Sequence, residues 1–351
     1  MLKTSTLMLA ALGLLLGATT SHAVTVTDCS AAPVMVVNKK TIINLPGDDV
    51  IIQCALSGDE VQVTAQSIVV DGPNNGSVMS SKKGGQATLL SATQDIVIDA
   101  AMVVAADSNA NTVIEAGGNI SITPGSKVTA GDDVRIKCTG ALCTIDIAGS
   151  QIAANKIDIE GNGDVTISPA SILQTDCPRD EIKIVSNTGD VIVSGGVIGG
   201  LATICCLSVQ AVCSANPNDP ACPFAPGGSG PIVLNDLQEL SAFCQDCVQA
   251  PNLLKTCVEG DVIILAPQGN IDVSNATIMV GEGVILSALL DVNMANANIS
   301  NCGPKKGVIV VTSSTCNIDG ATILDDDPDT GPTLNCTQSG TPTLLGTCSS
   351  S

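Results

Sequence analysis

The chain has 351 residues, is 44% apolar and only 14% charged, and holds 34 Gly, 16 Cys, two Phe, no Trp and no Tyr, with a formal charge of -20. That hydrophobicity excludes a disordered chain, and the near absence of rings excludes a core organised around aromatic side chains. The acidic balance disfavours nucleic acid and bare acidic polysaccharide as partners, because approach begins against long-range repulsion; cations, or polymers bridged by cations, remain open.

Residues 1–23 read as a secretory signal: Lys3 is the positive n-region, Leu7 to Leu16 the apolar stretch, and Ser21-His22-Ala23 a small-x-small cleavage site. Its removal takes away the only histidine and leaves 13 basic against 34 acidic residues, a balance of -21. No second apolar run long enough to span a bilayer follows, so no transmembrane segment is expected in the mature chain and the protein is expected to be secreted or on the cell surface. All 16 cysteines lie beyond residue 23, and an even number in an oxidising compartment predicts disulfides.

Residues 24–49 are expected to form an N-terminal cap, and a repeat begins near residue 50. Its motif is Gly, then Asp or Asn, then an aliphatic-x-aliphatic pair. It appears as GNISITPGSKV from Gly118, GDVTISPASI from Gly163, GDVIVSGGVI from Gly189 and GNIDVSNATI from Gly269. A second aliphatic pair precedes most copies, beginning at Val113, Val134, Ile157, Ile182, Val262, Val284 and Val308. The period is about two dozen residues, with two or three short strands per unit separated by Gly, Asn, Asp, Ser or Pro corners. No unit buries its aliphatic face alone, whereas stacking buries a continuous Val and Ile ladder. The predicted fold is all-β: a single-stranded parallel β-helix, or solenoid, of about nine to ten coils. It is expected over 50–201 and 261–330, with a Cys-rich, partly helical insertion at 202–260. An antiparallel sandwich also accounts for the alternation, but not for a recurring period of two or three strands.

The rung pattern over roughly residues 50–198 and 262–324 resembles the right-handed parallel β-helix class of exported proteins, the pectate-lyase-like and filamentous-haemagglutinin-like repeats. The resemblance implies an architecture shared by polysaccharide lyases, hydrolases, adhesins and inert surface fibres, and leaves the activity undetermined.

The insertion carries Cys205, Cys206, Cys213, Cys222, Cys244, Cys247 and Cys257, together with both aromatics, Phe224 and Phe243. The spacing of Leu237, Leu240, Phe243, Cys244 and Cys247 predicts one amphipathic helix. Cys244 and Cys247 form a CxxC near the end of that helix with Asp246 between them; both features raise thiol pKa and favour a structural disulfide over redox or metal chemistry. The remaining disulfide candidates are Cys29 with Cys54, Cys138 with Cys143, Cys302 with Cys316, Cys336 with Cys348, and Cys177 without an assigned partner.

Without histidine the mature chain has no His-based triad or zincin motif, and no catalytic residue is assigned. GDDVRIKC from Gly131 invites comparison with the paired aspartates and RIK motif of polygalacturonase-like hydrolases. There the motifs lie apart and a Gly-His-Gly accompanies them; here Asp132, Asp133, Arg135 and Lys137 are contiguous, and they read as a corner and a solvent-facing strand. The coils also lack the aromatic faces that sugar grooves present. In LDDDPDTG, the residues Asp325, Asp327 and Asp329 are candidate calcium ligands, although Pro328 intrudes and no bidentate Glu follows; a solvated acidic turn is the competing reading, and no other cofactor is indicated. Asn75, Asn119, Asn275, Asn298 and Asn335 lie in glycosylation triplets. Residues 331–351 are expected to form a Ser/Thr-rich cap or tail. The leading functional expectation is an exported non-enzymatic solenoid, a surface, matrix or filament component that is structural or adhesive, with self-association or cell-surface and matrix partners. A carboxylate- or calcium-dependent polysaccharide enzyme and a Cys-rich metal-binding or redox protein are the alternatives.

Overall fold

A computed structural model describes residues 22–175, 181–200, 260–301, 308–325 and 331–347. The proposed signal segment apart from His22 and Ala23, the proposed helix, and Cys177, Cys302, Cys348, Asp327 and Asp329 lie outside the described residues, as do the seven cysteines of the insertion.

Short strands of alternating aliphatic and polar residues bury one side and expose the other. Stacked turn upon turn in parallel, they build a solenoid with three faces. The first face runs from the first halves of Lys40–Ile52 and Glu60–Asp71, whose second halves turn onto the second face, through Asp133–Cys138, Lys156–Gly161 and Glu181–Ser186 to Asp261–Ala266 and Val284–Ala288. The second includes Ile96–Asp99, Ile120–Ile122, Ile145–Ile147, Val165–Ile167 and Val191–Val193. The third is an 11-stranded sheet from Ala55–Gly58 to Leu344–Thr347. Its inward ladder reads Leu56, Val78, Val103, Val128, Ile152, Leu173, Ile198, Ile278, Ile299 and Ile323, all fully buried. This dry aliphatic column is the core and needs no aromatic ring.

The recurring Gly-Asp and Gly-Asn pairs have a structural role. Asp164 Oδ1 accepts the Asp190 N–H at 2.9 Å, Asp190 Oδ1 accepts the Asn270 N–H at 2.7 Å, and Asn270 Oδ1 accepts the Asp291 N–H at 3.2 Å. Each side chain thus ties its corner to the next turn. The preceding glycine leaves room: a Cβ on Gly189 would lie 2.3 Å from Asp164 Oδ1, and one on Gly269 would lie 2.1 Å from the Gly189 carbonyl. Asp190 and Asn270 are 80 residues apart in sequence yet occupy consecutive turns, and Ile182 pairs with Val262 as if nothing intervened. The insertion therefore leaves the register intact. It joins the third-face strand Val197–Gly200 to the first-face strand Asp261–Ala266, and segments 176–180, 302–307 and 326–330 join the same two faces.

Three sequence expectations need correction. Parallel stacking begins at Ala23, which pairs with Asp49, and Lys40 pairs with Glu60, both ahead of residue 50. Residues 331–347 form one further turn instead of a cap or tail: Thr333–Ser339 and Leu344–Thr347 pair in parallel with the turn before, because Leu334 and Leu345 continue the inward ladders. Two leading strands are also displaced by one residue. Thr112 and Ile309 are the ladder partners of Val134 and Val284, so Val113 faces outward and Val308 is half exposed. A slip of one residue exchanges faces. Here aliphatic residues occupy outward positions while the buried Thr112 hydroxyl donates to the Thr129 carbonyl at 3.1 Å, so aliphatic character alone misplaced the pattern.

Among the disulfides, Cys29–Cys54 and Cys138–Cys143 are as expected. Cys316 pairs with Cys336, not with Cys302, and Cys336 therefore not with Cys348. The two lie on consecutive stacked strands, and cross-turn stacking brings their Cα atoms to 5.8 Å.

Candidate functional site

The densest cluster of ionisable groups lies on the first face, where outward positions of successive strands form a checkerboard. Asp133 stands over Lys156 and then Glu181; Arg135 over Asp158 and then Lys183; Glu115 over Lys137 and then Glu160. Neighbouring strands lie about 4.8 Å apart, so opposite signs meet between turns. Lys137 Nζ is 3.1 Å from Glu160 Oε2, Lys156 Nζ 2.8 Å from Glu181 Oε1, and Arg135 Nε 3.9 Å from Asp158 Oδ2. Nearer the N-terminus, Lys40 and Lys82 clamp Glu60 at 2.5 and 3.1 Å.

Glu115, Arg135, Lys137, Thr139, Asp158 and Glu160 line an open depression of about 310 Å3. A second, of about 420 Å3, shares Glu160 and extends to Lys183, Asn187, Leu265 and Ser287. Glu160 accepts from Lys137 through Oε2 and from the Asn187 amide at 3.3 Å through Oε1. Burial pushes its carboxyl up, but these hydrogen bonds outweigh burial and hold it below the ordinary value. Lys156 is raised by its hydrogen bond to Glu181. Asp133 is the exception: burial, then the neighbouring Asp132 charge, push its carboxyl up.

Arg135 and Lys137 thus project from the strand Asp133–Cys138 as expected, and Asp133 opens that strand. Composition did not reveal their neighbours Lys156, Asp158 and Glu160 on the next turn; opposite charges separated by one repeat were the available signal. The candidate calcium ligand Asp325 is 1% exposed. Its Oδ2 accepts the Ile309 N–H at 2.9 Å and its Oδ1 the Asn301 amide at 3.1 Å, so this carboxylate pins the end of one turn to its neighbour. Among the described residues no group of three or more His, Cys, Asp or Glu is placed to hold a metal, and all six described cysteines are in disulfides. Of the glycosylation triplets, Asn119 accepts the Thr144 N–H at 2.9 Å as part of a corner ladder.

The fold and this face together define a parallel β-solenoid whose charges are paired from turn to turn. No family model, curated protein or solved structure matches the chain.

Proposed function

We propose that this protein is an exported, non-enzymatic β-solenoid serving as a structural or adhesive component of a surface, matrix or filament. The observation that carries the reading is the first-face checkerboard. Lys137 with Glu160 and Lys156 with Glu181 are engaged with one another between turns, Arg135 lies 3.9 Å from Asp158, and the depressions between them are open and without aromatic platforms. Export is supported by the signal-like N-terminus and by the three disulfides. Among the described residues no helix is long and apolar enough to cross a membrane. Incubating the purified chain with uronate-containing and neutral polysaccharides, with calcium present, is expected to release no reducing ends and no unsaturated products, while the chain binds cells, matrix or itself. Turnover overturns the reading.

A second reading, a carboxylate-dependent polysaccharide enzyme, is favoured by one feature. The Asp133 carboxyl, raised by burial and by Asp132, has the protonation tendency of a general acid. In that case Asp132→Asn and Asp133→Asn abolish the turnover seen with the unaltered chain. The calcium proposal rests on Asp327 and Asp329, since the Asp325 carboxylate is engaged with Ile309 and Asn301; heat on calcium titration that Asp327→Asn and Asp329→Asn remove supports it. The metal or redox reading rests on the insertion's cysteines, and a thiol count near zero on the unreduced protein rejects it.

A further inference from the structure

The two ends of the solenoid differ. At the N-terminal end the first inward positions of the three ladders are covered: Thr41 and Val26 are 2% exposed and Leu56 is fully buried. Val34 and Cys29 pack against this end of the core, the disulfide Cys29–Cys54 holds the covering segment, and Met35–Val37 runs antiparallel to the strand beneath it. At the C-terminal end the same three ladders finish in Leu334, Gln338 and Leu345. Gln338 is exposed, Leu334 is partly exposed and Leu345 is 40% exposed. Leu344, on the outward side, is 49% exposed. The far edges of Thr333–Ser339 and Leu344–Thr347 pair with no described strand, and such an edge is a template for another chain.

Two further features concern what covers this end. Residues 331–347 contain no Asp, Glu, Lys or Arg, in a chain of formal charge -20, so two copies meet there without like charges facing each other. Edges that must stay free usually carry charges. At the opposite end the covering strand Met35–Val37 is itself apolar and exposed, with Val36 68% exposed, but it lies over a core that is already closed. The last turn is also preorganised. The disulfide Cys316–Cys336 ties it to the turn before, Thr341 N–H donates to Asp319 Oδ1 at 3.2 Å, and Thr343 Oγ1 donates to the Gly320 carbonyl at 3.0 Å. Little freedom remains to be lost on docking.

We propose that the uncharged C-terminal turn, with Leu334, Leu344 and Leu345 at its open edge, is the docking surface for the like end of a second copy of this chain. A two-fold axis across the solenoid brings the edge strands together antiparallel and leaves the two sealed ends outward, giving a closed dimer and not an open fibre. The inference deepens the scaffold reading, on which its biological meaning rests, by naming a partner; polysaccharide turnover would remove that meaning without touching the association.

Sedimentation of the oxidised chain across a dilution series tests it. A dimer is expected. Leu345→Lys, and the outward Leu344→Lys, which leaves the core ladder intact, each weaken association by about tenfold or more by placing charge in the interface. Val36→Lys at the sealed end leaves association unchanged, and circular dichroism verifies that each variant is folded. A monomer at every concentration, a dimer indifferent to both Leu344→Lys and Leu345→Lys, or an open-ended fibre that Val36→Lys disrupts overturns the proposal.

Discussion

The turns before and after the insertion share one core but fix their register differently. Every ion pair between described residues involves residues 39–181. Amide contacts between turns occur in both halves, as where Asn187 donates to Asn162 at 3.0 Å, and after residue 260 they carry that role without an ion pair between described residues. Asn293 donates to Asp272 at 3.1 Å, Asn317 to Asn293 at 3.0 Å and Asn296 to Asn275 at 3.5 Å, while Asn301 donates to the buried Asp325. Outward first-face positions change in parallel, from Arg135, Asp158 and Lys183 to Ile263, Ile285 and Val310 in the same ladder. Aliphatic stacking alone is nearly indifferent to a shift along the solenoid, so each half needs a directional contact. Charges supply one that salt screens; amides supply one that it does not.

The largest effect should be the same in both halves. Ile136→Ala and Ile264→Ala each empty a fully buried ladder position and should cost about 3–4 kcal/mol in urea denaturation; a cost confined to one half would mean that the column is not continuous. Asp325→Ala deprives the Ile309 N–H and the Asn301 amide of an acceptor and should cost about 2–3 kcal/mol, read as faster hydrogen exchange in residues 298–325. Asn293→Ala should cost about 1 kcal/mol, independent of salt. Glu160→Gln, in a part-exposed pair, should cost about 0.5 kcal/mol and less still in high salt. Equal salt sensitivity of these two variants would erase the distinction between halves.

The pH dependence has the smallest expected effects, and its sign differs by residue. Hydrogen bonding to Lys40 depresses Glu60 despite burial, and Glu160 is depressed likewise. Their stabilisation is present above the unfolded carboxylate value and is lost as pH falls through the folded one. Burial, then Glu282 and Glu181, raise Asp261 in spite of its hydrogen bond from the Gly283 N–H; protonating it as pH falls adds stability. Asp261→Asn keeps an acceptor for Gly283 and removes the charge. It should therefore raise the neutral-pH melting temperature slightly and abolish that acid-side gain, whereas a lower melting temperature would refute the assignment.

The stack and its period were legible because Val and Ile recur at inward positions whose burial no other residue type satisfies as well. The corner Gly-Asp and Gly-Asn pairs were legible as a motif, but not as a ladder, since a hydrogen bond spanning a whole repeat has no local signature. Thr112 shows where the reading slipped: a hydroxyl satisfied by Thr129 sits in the core while Val113 faces solvent, and composition ranks them the other way. At Ala170 the backbone has φ +64° without a glycine or asparagine to announce the corner. Cys316–Cys336 was missed because proximity along the chain is a weaker guide than proximity between stacked turns.

The central claim is a single uninterrupted column that runs through the insertion and gives the protein a scaffold. Native-state amide hydrogen exchange on the oxidised chain tests it most directly. The strands Glu181–Ser186 and Asp261–Ala266, paired across the insertion, should exchange at closely matched slow rates and lose protection together when Ile264→Ala is introduced. Should residues 261–325 exchange rapidly while residues 40–186 stay protected, the column ends at the insertion and the account fails.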